Sequence, residues 1–138
     1  MRLTRLLILV ATLSLAARLT HAAGFSFIEV PASPEGPALR GAVWTPCETP
    51  AGHIALDPML LNGVKDCPIH GSRLPLVVVS HGQGGSMLGH HDTASALADA
   101  GFVVASISHA GDNFQDQSRQ GKLSIFASRP ADMKRLVD

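Results

Sequence analysis

Two dense apolar runs dominate the hydrophobic pattern of the chain, Leu-Val-Val-Val at residues 76–79 and Phe-Val-Val-Ala-Ser-Ile at residues 102–107. Short, β-branched runs of this kind belong to strands covered on both faces, where the usual alternation of polar and apolar positions is lost. The first is therefore expected to lie centrally in a sheet. Between the runs, after a glycine-rich turn, residues 93–100 are good helix formers that set Ala94, Leu97 and Ala98 on one face. Asp92 reads as the N-cap of that helix and Gly101 as its C-terminal stop. Strand, helix and strand make one right-handed crossover with parallel strands, which sets the class as α/β.

Ahead of this unit, residues 25–30 and 39–45 are β-prone and separated by Pro31, Pro34, Gly36 and Pro37, so they read as an opening antiparallel pair. Residues 46–73 hold no sustained period. Pro50, Gly52, Pro58, Gly63, Pro68 and Gly71 interrupt them, and an irregular surface excursion is expected there. Past Ser108 the chain turns polar, then Arg129-Pro130 marks a new helix start, with proline at the first helical position and Asp132 favouring the first turn. Met133, Leu136 and Val137 on that helix require a partner surface.

The N-terminus changes the picture. Arg2 and Arg5 precede an apolar run at residues 6–17, and Thr20-His21-Ala22-Ala23 offers small residues for a signal peptidase. The run falls short of the roughly 20 residues of a spanning helix. Residues 1–23 are thus expected to be a cleaved export signal, cut after Ala22 or Ala23, with residues 24–138 as the mature domain, periplasmic or secreted and without a membrane anchor. Removing Arg2, Arg5 and Arg18 turns a balance of 11 basic and 11 acidic residues into 8 against 11. No basic cluster is present that could follow nucleic acid.

Cys47 and Cys67 flank the Pro- and Gly-rich excursion. An even cysteine count in an oxidising compartment points to a disulfide, with two independent buried thiols as the alternative. Neither cysteine sits in the Cys-x-x-Cys pair of a zinc site.

The candidate chemistry lies in His81-Gly82-Gln83-Gly84-Gly85-Ser86, directly after the first apolar run. A dinucleotide-binding loop would have glycine where Met87 stands and an acidic residue where Ser108-His109 follows the next strand; a phosphate loop would have Gly-Lys-Ser/Thr. Two readings survive: a structural turn, and an oxyanion hole whose backbone N–H groups meet the negative charge that develops on an ester carbonyl.

In Val78-Val79-Ser80-His81-Gly82-Gln83-Gly84-Gly85, followed by Leu97-Ala98-Asp99-Ala100-Gly101-Phe102-Val103-Val104-Ala105, the chain resembles α/β-hydrolases of the dienelactone hydrolase and platelet-activating-factor acetylhydrolase type. The likeness covers roughly residues 39–138 in element order. It implies a doubly wound α/β-hydrolase sheet represented by its N-terminal part, a small-molecule ester substrate, no cofactor and no metal. It also implies that the Gln83 N–H is an oxyanion donor, that His81, Gly82 and Gly84 shape the loop, and that His109 lies at the pocket rim. The chain departs from the pattern in one respect: Gly-x-Ser-x-Gly does not occur in it. In the family the elbow serine, the acid and the triad histidine follow the helix that begins near Arg129, so the 138 residues are expected to be truncated before the nucleophile and inactive alone.

The rival to an esterase is a non-catalytic exported module, metal-binding or truncated. His81, His90, His91 and His109 could supply the metal site. The adjacent pair His90-His91 diverges on a helix, whereas a zinc helix spaces its ligands three or four apart.

Overall fold

The computed structural model describes residues 21–138. Most of the expected leader lies outside the described residues; its last three positions, His21, Ala22 and Ala23, open the first strand, where Ala22 and Ala23 are buried.

The elements run β1 (His21–Val30), β2 (Leu39–Pro50), β3 (Gly52–Leu56), β4 (Met59–Lys65), β5 (Leu76–Ser80), α1 (His91–Asp99), β6 (Val103–Ile107) and α2 (Ile125–Val137). The six strands form one sheet in the order β3-β4-β1-β2-β6-β5. The opening pair β1 and β2 is antiparallel, as the turn residues between them predict, with Val30 opposite Leu39 and Phe25 opposite Trp44. β5 and β6 are parallel, from Leu76 beside Val103 to Ser80 beside Ile107, and α1 connects them. β2 joins the two halves by pairing antiparallel with β6. Gly41 permits that seam, because a Cβ there would stand 2.7 Å from the Ser106 carbonyl oxygen.

Side chains alternate across a strand, so each strand feeds two faces. On one face Phe25, Ala42, Trp44 and Val104 pack against Ala94 and Ala98 of α1. Phe25 and Trp44 meet edge to face with ring centroids 5.3 Å apart, an arrangement favoured by the ring quadrupoles. On the other face Val30, Leu39 and Ile107 receive Met133 and Leu136 of α2. One helix on each face gives a three-layer α/β domain.

Several expectations need correction. Residues 46–73 are not irregular throughout. β2 runs on to Pro50, and β3 and β4 form a hairpin with Leu56 opposite Met59. Ile54 and Leu61, two residues amid glycines and prolines, are buried there and supply the apolar face that the interrupted pattern conceals. Gly63 interrupts no strand; a Cβ there would stand 2.7 Å from the Ala23 carbonyl oxygen, so it allows β4 to lie against β1. Among the described residues β5 stands at the edge of the sheet, where a central place was expected. Val77 and Val79 pack on the α1 side while Leu76 and Val78 remain exposed. A continuous apolar run reports what could be covered, not where in a sheet the strand stands.

The helix ends also shift. α1 begins one residue earlier than its expected cap: His90 is the N-cap and Asp92 lies within the first turn. α2 begins at Ile125, so Pro130 sits inside the helix instead of opening it. Proline lacks an N–H and cannot bond back to the preceding turn, but it does not prevent the helix from having begun earlier. The apolar positions of α2 that lacked a partner in sequence find it in Val30, Leu39 and Ile107, except Val137, which stays exposed.

Candidate functional site

Because β5 and β6 are parallel neighbours in register, the loops that follow them emerge side by side, and His81 comes to lie against His109 with ring centroids 5.0 Å apart. The His109 backbone N–H donates to His81 Nε2 at 3.1 Å. That nitrogen must therefore carry a lone pair, which leaves Nδ1 as the protonated one, donating to the Gly82 carbonyl at 2.6 Å. Burial holds the His81 pKa below the ordinary imidazole value; the Gly82 carbonyl opposes this, while the nearby His109 and Arg129 charges add to it. His81 is thus a neutral brace at the base of the glycine loop.

The loop itself makes specific commitments. Gly85 N–H closes a turn onto the Gly82 carbonyl at 3.1 Å. Gly84 has φ of +65°, a left-handed conformation that favours glycine, and its N–H donates to Asp112 Oδ1 at 3.0 Å. Among the described residues the Gln83 N–H has no hydrogen-bond partner, and Gln83 and Gly82 are exposed. Nothing lies within 4 Å of a Cβ built on Gly82. One amide is left uncommitted while its neighbour is tied down.

Behind the loop α2 contributes two charged groups that the sequence pattern placed only at a helix start. Arg129 pairs with Asp112 at 3.1 Å, donates to Ser80 Oγ at 2.8 Å and also donates to the His81 carbonyl. Asp132, buried, lies 3.0 Å from His109 Nδ1, and His109 Nε2 lies 2.9 Å from Ser80 Oγ. A carboxylate can only accept, so with a neutral imidazole Nδ1 carries the proton and Nε2 accepts from the Ser80 hydroxyl. Ser80, His109 and Asp132 therefore form a continuous hydroxyl–imidazole–carboxylate relay. Arg135 stands 3.7 Å from the second Asp132 oxygen.

His109, expected at a pocket rim, is fully buried and acts inside this relay. The cavity beside the loop has a volume of about 740 Å³ and is lined instead by its neighbours Ser108 and Ala110, with Ser86, Met87, Phe27 and Phe114. His90 and His91 stand apart from His81 and His109, at the start of α1, where His91 pairs with Asp92. Among the described residues no group of three or more His, Cys, Asp and Glu side chains could hold a metal ion. Cys47 and Cys67 are joined in a disulfide that ties β2 to the segment after β4.

Arg129 and Asp132 had one legible signal. With Arg135 they recur at a spacing of three, which places all of them along one face of a helix. Reading Pro130 as a helix start hid that face.

The fold is similar to that of a ferulic acid esterase from Streptomyces cinnamoneus, with a TM-score of 0.67 and 19% sequence identity over 89% of this chain and 47% of that one. The chain thus spans about half the length of the esterase, and the likeness is one of fold. No family model matches the sequence, and no curated protein matches it.

Proposed function

We propose that the chain carries the oxyanion-holding part of an exported ester hydrolase of the dienelactone hydrolase or acetylhydrolase type, which uses no cofactor. The observation that supports this best is the uncommitted Gln83 N–H on an exposed loop at the C-terminal ends of two parallel strands, next to a mostly apolar cavity. Ligands of open α/β sheets bind at that edge. When an acyl carbonyl is attacked its oxygen becomes negative, and an amide already fixed in direction stabilises that charge without having to reorganise. His81 below the loop and Asp112 behind it supply the fixing.

The esterase of similar fold is a ferulic acid esterase, which makes hydroxycinnamate esters such as methyl ferulate natural test substrates beside p-nitrophenyl acetate. On this reading the 138 residues alone are inactive, and the longer protein that also carries the elbow serine is expected to hydrolyse one of them. Gly82→Trp is the informative variant, since the position has open space around it and needs no left-handed backbone. It should block approach to the Gln83 N–H and lower kcat/KM about 100-fold, the effect of losing one oxyanion donor. Absence of any ester turnover by that longer protein, or turnover that Gly82→Trp leaves unchanged, would sink the reading.

A further inference from the structure

A guanidinium is an unusual member of a helix stripe that docks on a sheet. Arg129, Met133 and Leu136 stand at i, i+4 and i+7 of α2, one face of the helix, and the two apolar members pack on Val30, Leu39 and Ile107. An aliphatic side chain of similar size would avoid the cost of desolvating a charge there, so the charge answers to what it holds and not to stability. We propose that Arg129 is a positioning residue for the oxyanion donor: its guanidinium fixes the peptide units on either side of the one that carries the Gln83 N–H. The assignment rests on the ester-hydrolase reading for the donor's role.

The Gln83 N–H belongs to the trans peptide unit between Gly82 and Gln83. A planar trans peptide points its N–H opposite to its carbonyl, so whatever holds the unit also aims the donor. The Gly82 carbonyl accepts from His81 Nδ1 at 2.6 Å and from the Gly85 N–H at 3.1 Å. The preceding unit is held by Arg129, which donates through Nη2 to the His81 carbonyl. The following unit is held at the Gly84 N–H, which donates to Asp112 Oδ1 at 3.0 Å, while Oδ2 of the same carboxylate accepts from Arg129 Nη1 at 3.1 Å. One planar side chain thus reaches both neighbours of the donor unit, directly on one side and through a single carboxylate on the other.

A third contact ties the guanidinium to the imidazoles. Nη2 also donates to Ser80 Oγ at 2.8 Å, and the Ser80 hydroxyl donates to His109 Nε2 at 2.9 Å. The His109 backbone N–H in turn braces His81 Nε2 at 3.1 Å. His81 is therefore held at its carbonyl by Arg129 and at its ring by His109. Lysine cannot take over this work, because its ammonium is one point charge, whereas the two terminal nitrogens of arginine serve Asp112 and the His81 carbonyl at once. A donor aimed before the substrate arrives stabilises the oxyanion without reorganising, so the benefit falls on the chemical step and not on substrate binding.

The test is Arg129→Lys in the longer protein that carries the elbow serine, assayed with methyl ferulate and p-nitrophenyl acetate. The variant should lower kcat about 10- to 100-fold, less than outright loss of an oxyanion donor, while KM stays near its wild-type value. Hydrogen exchange at Gly85, whose N–H closes the turn onto Gly82, should quicken in the same variant. A merely structural role would lower the melting temperature and leave the kcat of the folded protein as it was. Should Arg129→Lys not fold, Asp112→Asn probes the same link: its amide oxygen still accepts the Gly84 N–H, the ionic hold on the guanidinium is gone, and kcat should fall likewise. Unchanged kcat in the folded variant, a rise in KM with kcat kept, or unaltered exchange at Gly85 overturns the proposal. Ester turnover that Gly82→Trp lowers and Arg129→Lys spares removes Arg129 and leaves the hydrolase reading standing. No turnover of any ester by the wild type, with exchange at Gly85 quickened by Arg129→Lys, removes the hydrolase reading and leaves Arg129 as the anchor of the loop.

Discussion

Asp112 Oδ1 accepts the Gly84 N–H at 3.0 Å, a bond that joins the loop after β6 to the loop after β5. The other carboxylate oxygen holds Arg129 of α2 at 3.1 Å, so one buried side chain connects three segments. Asp112→Ala should free the Gly84 N–H and strand Arg129 without a counter-charge. Breaking a largely buried pair from one side costs about 3 kcal/mol. Urea unfolding should show that loss, and amide exchange at Gly84 should quicken. Unchanged exchange would mean that the loop holds its shape unaided.

His81 makes stability depend on pH. Its folded-state pKa is depressed, chiefly by burial, so below about 6.5 the unfolded chain takes up the proton more readily than the folded one. The contribution of His81 is whole above that pH and is lost as pH falls toward the lower folded value. Melting temperature should drop on acidification, and His81→Gln, whose amide oxygen can still accept from the His109 N–H, should flatten that part of the drop. Parallel curves for the two proteins would assign the effect to other groups.

The disulfide closes the loop that contains the β3–β4 hairpin, with a sequence separation of 20 between its cysteines. Its removal in Cys67→Ser should cost about 3 kcal/mol on the chain-entropy account. Denaturant midpoints with and without reductant should move apart for the wild-type protein and coincide for the variant.

At Gly41 a Cβ would meet both the Ser106 carbonyl oxygen at 2.7 Å and the Ile28 side chain at 2.9 Å. Backbone cannot retreat as a flexible side chain can. Gly41→Ala should therefore destabilise by about 1–3 kcal/mol, the range for overpacking, despite the better intrinsic fit of alanine to a strand. A neutral result in thermal unfolding would mean that β2 and β6 can separate freely.

The β5–α1–β6 unit is legible in the sequence because its strands are short uninterrupted apolar runs and its helix keeps one small apolar face, signals that are local in the chain. β3 and β4 are not, because their few buried positions, among them Ile54 and Leu61, lie between residues whose turn preference dominates any window. The glycine loop is legible from its composition. The relay behind it is not: Ser80 ends β5, His109 and Asp112 follow β6, and Arg129 and Asp132 share α2, so the three segments meet only once α2 lies across the sheet, a relationship that no short spacing encodes. Even the role of His109 reverses on folding, from an expected lining residue to the buried middle member of the relay.

The seam between β2 and β6 has a consequence for the order of assembly. The β1–β2 and β3–β4 pairs and the β5–α1–β6 unit each close short loops, whereas pairing Gly41 with Ile107 closes a loop spanning nearly everything between. Entropy lost in such a closure is recovered only after many contacts have formed. Two independently nucleated blocks are thus expected to dock late, and Trp44, which stands opposite Val104 across the seam, should report that docking by a change in its fluorescence after the backbone signal has largely developed.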